Sequence, residues 1–247
     1  RILSWKSKFL SQGGKIVLIK HVLSSIPLHL LSASVIPVSV FTVIERVCSN
    51  FLWGSTDRGN RYHWIRWDHL CFPKEEGGVG FRLLRDVYTA FSHKLWWKFR
   101  TGSSLWAVFL QAKYCRCCHP CQVEYRAGSS STWKRMVNAS RQVELAMRWL
   151  VNAGTCDFWH DNWLGSGALF LRTPVNGALT FKDFIRDGRW DSMVLAQYFP
   201  SDIMALILQH PTPEGERPDE VVCMPTPSGQ FSLSSAFQEV RQARNAS

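Results

Sequence analysis

The densest concentration of reactive side chains in this sequence is Cys115-Arg116-Cys117-Cys118-His119-Pro120-Cys121. Cys115/Cys118 and Cys118/Cys121 are each a C-x-x-C pair, and zinc favours four sulfur or imidazole ligands at such spacing. The candidate metal ligands are therefore Cys115, Cys118, Cys121 and His119, with Cys156 and His160 as a distant second pair. Overlapping pairs in so short a run crowd a tetrahedral site. No metal or other cofactor is expected in this chain, and a zinc-binding module around Cys115–Cys121 stands as the alternative. Asp157-Phe158-Trp159-His160-Asp161-Asn162-Trp163 combines His with Asp, but its aromatic spacing reads as a packed turn.

A second set of residues suits contact with a polyanion. Gly13-Gly14-Lys15 opens a helix, and a helix start exposes unpaired N–H groups that accept phosphate. Lys6, Lys8, Lys15, Lys20 and His21 add cations there. Further on, His93, Lys94, Trp97, Lys98 and Arg100 interleave positive charge with an aromatic face, a pattern suited to phosphate contact and base stacking. The candidate nucleic-acid-binding residues are Lys6, Lys8, Lys15, Lys20, Lys94, Trp97 and Lys98. Charge distribution agrees: the net +10 over 247 residues divides into +9 on residues 1–100, +5 on 101–150 and −4 on 151–247. A basic half beside an acidic half points to a polyanion on one side only.

Catalytic signatures are missing. Two-metal nucleotidyl transfer needs closely placed carboxylates, and no Asp-Asp pair occurs. Glu75-Glu76-Gly77-Gly78-Val79-Gly80 reads as a tight turn, because a phosphate loop ends in Gly-Lys-Ser/Thr and opens a helix. No Gly-x-Ser-x-Gly or His-Glu-x-x-His is present. The carboxylates after residue 157 are mostly single, and no strand pattern suits a five-stranded ribonuclease H-like sheet. No catalytic residue is assigned, and no activity is expected of the chain alone.

The elements that position these residues are mostly helices. Apolar spacing predicts helices over 14–33 (kinked at Pro27), 39–52, 84–100, 104–114 and 132–151. The buried stripes expected are Val40, Val43, Ile44, Val47 and Phe51 in the second, and Tyr88, Phe91, Leu95 and Phe99 in the third. Residues 55–82 read as short strands or loops, and 154–167 as a Trp-rich loop or hairpin. Short helices follow near 180–187, 190–198 and 201–210, a linker over 211–218, a small hairpin over 220–233 and a last helix near 234–244. The fold class is mainly α with short β elements: a basic helical, thumb-like bundle over 1–127 and a small, acidic, aromatic-rich mixed connector lobe over 128–247. No stretch of 18 apolar residues is free of charge, so no transmembrane helix and no membrane partner is expected. Eight cysteines without a secretory signal do not suggest a disulfide framework, and a nuclear or cytoplasmic location, not secretion, is expected.

An ordered set of motifs resembles the region after the polymerase palm in plant LINE-type (non-LTR) retrotransposon reverse transcriptases. Trp5, Leu10, Ser11, Gly14, Lys15, Leu18, Ile19, Val22, Leu23, Ile26, Pro27 and Pro37 are similar to its first segment, and Phe51-Leu52-Trp53-Gly54 to its next marker. His63, Trp67, Cys71, Pro73-Lys74, Gly77-Gly78, Gly80, Phe81 and Arg82 follow in the family's order, then Ala90, Lys94, Trp97, Leu105-Trp106 and Lys113-Tyr114. Trp133, Phe158-Trp159, Asp161, Trp163-Leu164-Gly165, Asp219, Gly229, Phe231-Ser232 and Ser235-Ala236 resemble the later part. The resemblance implies a non-catalytic fragment of an RNA-directed DNA polymerase, running from thumb and connection to the start of a reverse-transcriptase zinc-binding domain that lies outside it. Its partners would be template–primer RNA or DNA and the rest of the parent enzyme. Cys223 stands where the family pattern has Trp, which also fits an inert, degenerate retroelement relic.

Overall fold

The computed structural model describes residues 10–56, 59–60 and 62–245. The chain is mainly α with short β elements, as its periodicity predicts. It divides into two compact units, residues 1–92 with 240–247, and residues 93–239. The division falls inside a long helix, Leu84–Thr101 (α5 below). Gly128-Ser129-Ser130-Ser131, where the sequence suggests a boundary, lies within the second unit.

In the first unit, α1 (Gln12–Leu18) is capped by Ser11, whose Oγ accepts the Gly14 N–H at 3.2 Å. A π-helical turn over Ile19–Leu23 follows, and α2 (Leu28–Ala33) starts after Pro27. The single kinked helix expected over 14–33 is thus three pieces. Ser24 holds the π turn, its N–H and Oγ both donating to the Ile19 carbonyl. Gln12–Ala33, 22 residues of successive helical turns, contains an 18-residue window of mean hydropathy 1.6, long and apolar enough by length and composition alone to cross a membrane. Lys20 still interrupts it, so no charge-free run of 18 apolar residues occurs, and core helices of soluble proteins reach the same length and hydropathy.

The helix α3 (Val38–Trp53) buries Phe41, Cys48, Ser49, Phe51 and Leu52, whereas Val40 and Val43 of the expected stripe are exposed. It carries apolar residues on two faces, and periodicity alone does not say which one meets the core. After a ladder of β1 (Ser55–Thr56) and β2 (Gly59–Asn60) comes α4 (Trp67–Leu70). Ile19, Phe51, Leu52, Leu70, Cys71 and Phe81 form this unit's core, with Trp67 stacked on Phe81 at 5.1 Å. The glycine turn is as expected: Gly77 and Gly80 are left-handed, and a Cβ on Gly78 would lie 2.0 Å from the Phe72 carbonyl oxygen.

In the second unit, α5 (Leu84–Thr101, from His93 onward), α6 (Leu105–Tyr114) and α7 (Ser131–Ala146) pack around Trp96, Phe99, Trp133, Met136 and Val143. The buried apolar positions along α5 are Leu84, Val87, Ala90, Trp96 and Phe99, with Asp86, Ser92 and His93 buried among them, so of the stripe expected there only Phe99 is buried. The helix expected over 132–151 ends at Ala146. Residues Met147–Leu150 are a strand, β3, antiparallel to β6 (Glu220–Cys223), with Met147 opposite Cys223. Both partners are buried at that end, so long-range pairing overrides helical spacing. The hairpin expected over 220–233 is therefore only a turn closing on β6, in which Cys223 N–H reaches Gly229 O.

A second core gathers Phe158, Trp159, Trp163, Phe181, Phe184, Leu195, Phe199 and Ile207. Three of the tryptophans in or against it have a partner for the indole N–H: Trp159 donates to Leu179 O, Trp163 to Phe158 O and Trp190 to His210 O. The helix expected over 180–187 is a 3-10 turn followed by a hairpin, β4 (Ile185–Arg186) and β5 (Arg189–Trp190). The hairpin turns at Asp187-Gly188, both with positive φ, the local Asp-Gly signal of such a turn. Helices α8 (Ser192–Tyr198) and α9 (Ser201–Leu208) close this core, and α10 (Leu233–Asn245) ends the described chain.

Candidate nucleic-acid interface

The C-terminal end of α6, the loop after it and the first turn of α7 enclose a cavity of about 410 Å³. Lys113, Arg116, Arg126, Tyr114, Tyr125 and Trp133 line it. Ser130 caps α7, its Oγ accepting the Trp133 N–H at 3.2 Å, and that cap also holds Tyr114. The Tyr114 hydroxyl donates to Ser130 Oγ and accepts the Ser130 N–H, each at 3.3 Å. Its ring lies flat on Trp133, 4.3 Å between centroids and 9° between planes. Hydrogen bonding to Ser130 holds the Tyr114 phenol below its ordinary value, and Lys113 assists.

Cations crowd these rings. Lys113 Nζ sits 5.1 Å from the Tyr114 centroid and 5.6 Å from that of Phe109, and Lys134 Nζ is 5.0 Å from that of Tyr125. Arg116 donates through Nε to the Ala112 carbonyl at 2.7 Å. Lys113, Arg116, Arg126 and Lys134 are all exposed, and none has a carboxylate partner among the described residues. Exposed unpaired cations beside aromatic faces can neutralise phosphates and stack bases. The sequence reading missed this cluster. Its signal was the +5 charge of residues 101–150, overshadowed by the cysteines between the two tyrosines.

Those cysteines are spread between different surroundings. Among the described residues no group of three or more His, Cys, Asp and Glu side chains is placed to hold a metal ion. Cys117 and Cys118 are exposed on the basic cavity, and burial pushes the half-buried Cys115 thiol up to about 11. Cys121 lies 2.9 Å from His119 Nδ1 and donates to the His160 carbonyl, and burial pushes its thiol up as well. His119 stacks on His160 at 5.2 Å, and its Nε2 lies 3.5 Å from Asp161 Oδ1. Burial, helped by Arg100, pushes the His119 imidazole down to about 3. All eight cysteines are free.

Arg100 and His93 are not available for phosphate, contrary to their place in the basic-aromatic reading of α5. Arg100 is 7% exposed, donates through Nε to Glu144 Oε1 at 2.7 Å and through Nη2 to Asp161 Oδ1. Burial opposes its charge, but the two carboxylates outweigh burial and keep the guanidinium ionised. His93 is buried on Gln142 Oε1 at 3.0 Å, and burial pushes its imidazole down.

The other sequence candidates are dispersed. Lys6 and Lys8 lie outside the described residues. In the first unit, Lys15 is half-buried with Nζ 3.5 Å from the Leu52 carbonyl, and Lys20 is exposed with Nζ beside Gly80. In the second, Lys94 is half-buried, Lys98 is exposed, and Trp97 is stacked on Phe231 at 5.1 Å.

A protein of Arabidopsis thaliana described as a "Putative ribonuclease H protein" is 31% identical to this chain over 257 aligned positions. The match takes in 96% of this chain and 40% of that protein, so the chain spans about two fifths of its relative's length. No family model matches the chain. No solved structure matches it.

Proposed function

We propose that this chain is a nucleic-acid-contacting part of a LINE-type reverse transcriptase, binding template–primer strands through backbone electrostatics and base stacking. The observation that carries the reading is the set of four exposed, unpaired cations, Lys113, Arg116, Arg126 and Lys134, around a cavity lined by Tyr114 and Tyr125. The motif order along the chain and the ribonuclease H name of the relative support a retroelement setting. That name points to cleavage of an RNA strand. The described residues hold only two-stranded sheets, so the role proposed is holding a strand, with chemistry performed elsewhere in the parent enzyme.

Filter binding of labelled single-stranded oligonucleotides across a salt series tests this. Affinity should fall linearly in log salt, because each phosphate neutralised releases counterions. Binding with a flat salt response, or none at low salt by a cooperatively folded chain, would overturn the proposal.

A further inference from the structure

The exposed thiols of this molecule are gathered in one place. Of the eight cysteines, Cys117 and Cys118 are exposed, Cys48, Cys71, Cys156 and Cys223 are buried, and Cys115 and Cys121 are half-buried. Both exposed cysteines lie in the wall of the basic cavity, in the loop between α6 and the short turn Pro120–Gln122. Burial raises the thiols of the other six, which disfavours the thiolate that reacts.

The wall around this pair is cationic. Lys113, Arg116 and Arg126 line the cavity beside the two thiols, against a single carboxylate, Glu124. None of the three cations has a carboxylate partner among the described residues. Arg116 is the chain neighbour of Cys117, and its Nε is tied to the Ala112 carbonyl at the end of α6. A cleft lined by one sign of charge concentrates reactants of the other sign and speeds their arrival by about 10–10³-fold. The cavity volume, about 410 Å³, falls in the range that holds a small molecule.

We infer that Cys117 and Cys118 form a thiol–disulfide exchange site for small anionic disulfides, and that the adduct closes the basic cavity to a strand. The closing rests on the nucleic-acid reading above; the exchange site does not. Glutathione disulfide represents the class, since each half carries two carboxylates and one ammonium. The cysteine gives up its proton and its thiolate attacks one sulfur of the disulfide. The bond between protein and glutathione sulfurs forms as the original S–S bond breaks, and the other half leaves as a thiolate that takes up a proton. The small disulfide is itself the oxidant. The half left on the protein sets its carboxylates among Lys113, Arg116 and Arg126 and fills space that a phosphate and base would use.

Mass spectrometry of the reduced whole chain, treated with glutathione disulfide or with the cationic disulfide cystamine, tests the exchange site. Each rate is divided by that of the same disulfide with N-acetylcysteine amide, which removes intrinsic reactivity. Peptide mapping should place the adduct on Cys117 or Cys118. At low salt the relative rate for glutathione disulfide should exceed that for cystamine at least tenfold. The ratio should fall to within about threefold between about 0.01 M and 1 M salt, as the Debye length shrinks from about 30 Å to about 3 Å. Lys113→Gln with Arg126→Gln should lower the low-salt ratio several-fold. Filter binding then reads the closing: the adduct should bind a single-stranded oligonucleotide at least tenfold more weakly, with affinity restored by dithiothreitol. A chain carrying Cys117→Ser and Cys118→Ser, with an unchanged thermal melt, should lose that sensitivity to glutathione disulfide.

Adducts chiefly at other cysteines, equal relative rates for the two disulfides at low salt, or a ratio indifferent to Lys113→Gln with Arg126→Gln would overturn the exchange site. An adduct that binds oligonucleotide as well as the reduced chain would overturn the closing and leave the strand-holding role standing. Charge-selective adduct formation by a reduced chain that binds no oligonucleotide would uphold the exchange site and remove that role.

Discussion

Arg100 and Asp219 are single residues whose charges hold local structure together. Arg100 neutralises Glu144 and Asp161 while its guanidinium carbon lies 5.6 Å over the Trp149 ring. Removing it leaves two buried carboxylates uncompensated, so Arg100→Leu should cost about 3–5 kcal/mol in urea unfolding. Asp219 accepts the backbone N–H groups of Asn152, Gly154 and Cys156 at 2.6, 3.1 and 2.7 Å. Partial burial raises its carboxyl, but those bonds outweigh burial and hold it below the ordinary carboxylate value. The native state therefore favours the ionised form. That contribution is complete above the unfolded carboxylate pKa, about 4, and is lost as pH falls through the lower folded value. Urea unfolding at neutral pH and at pH 3 should show a smaller acid loss in Asp219→Asn than in the parent.

At the scale of elements, the motif residues that carry the family resemblance turn out to shape turns and packing. Asp161 anchors Arg100, Gly229 has a positive φ, Phe231 stacks on Trp97, and the Ser232 and Ser235 hydroxyls bond to each other. Gly78 is the sharpest case, because its missing side chain lets the Phe72 carbonyl approach. Gly78→Ala must displace backbone and should lower stability by about 1–3 kcal/mol. Gly77 has open space around it but a φ of 83°, so Gly77→Ala should cost only about 1–2 kcal/mol, from backbone strain. Denaturant midpoints of the two variants separate the causes. Helix existence was legible in the sequence because apolar spacing is local: α3, α5, α6, α9 and α10 all lie where it puts them. β3 was not, because Met147–Leu150 continues the helical spacing of α7 and becomes a strand only through a partner more than seventy residues away. The β4–β5 hairpin had its signal in Asp187-Gly188, but runs of two residues are too short for alternation to register.

For the whole molecule, net charge was legible but its usable part was not. Composition puts the excess of positive charge before residue 150, which pointed to lysines on the first and fifth helices. Composition does not distinguish a cation facing water from one already neutralised, as Arg100 is by two carboxylates. The cations of the basic cavity are exposed and unpaired among the described residues, and that is what releases counterions on binding. For single strands each contact contributes about 0.7 to the slope of log affinity against log salt. Replacing Lys113, Arg116, Arg126 and Lys134 together by glutamine should therefore reduce that slope by about 3 if all four touch phosphate. The same number of glutamines at exposed cations of the acidic stretch, Arg172, Lys182, Arg186 and Arg189, removes equal charge far in sequence from Tyr114, Tyr125 and Trp133. If net charge alone draws the strand, the two quadruple variants will lose the same slope. If the cavity grips it, only the first will, and its loss will exceed the second's at every salt concentration measured.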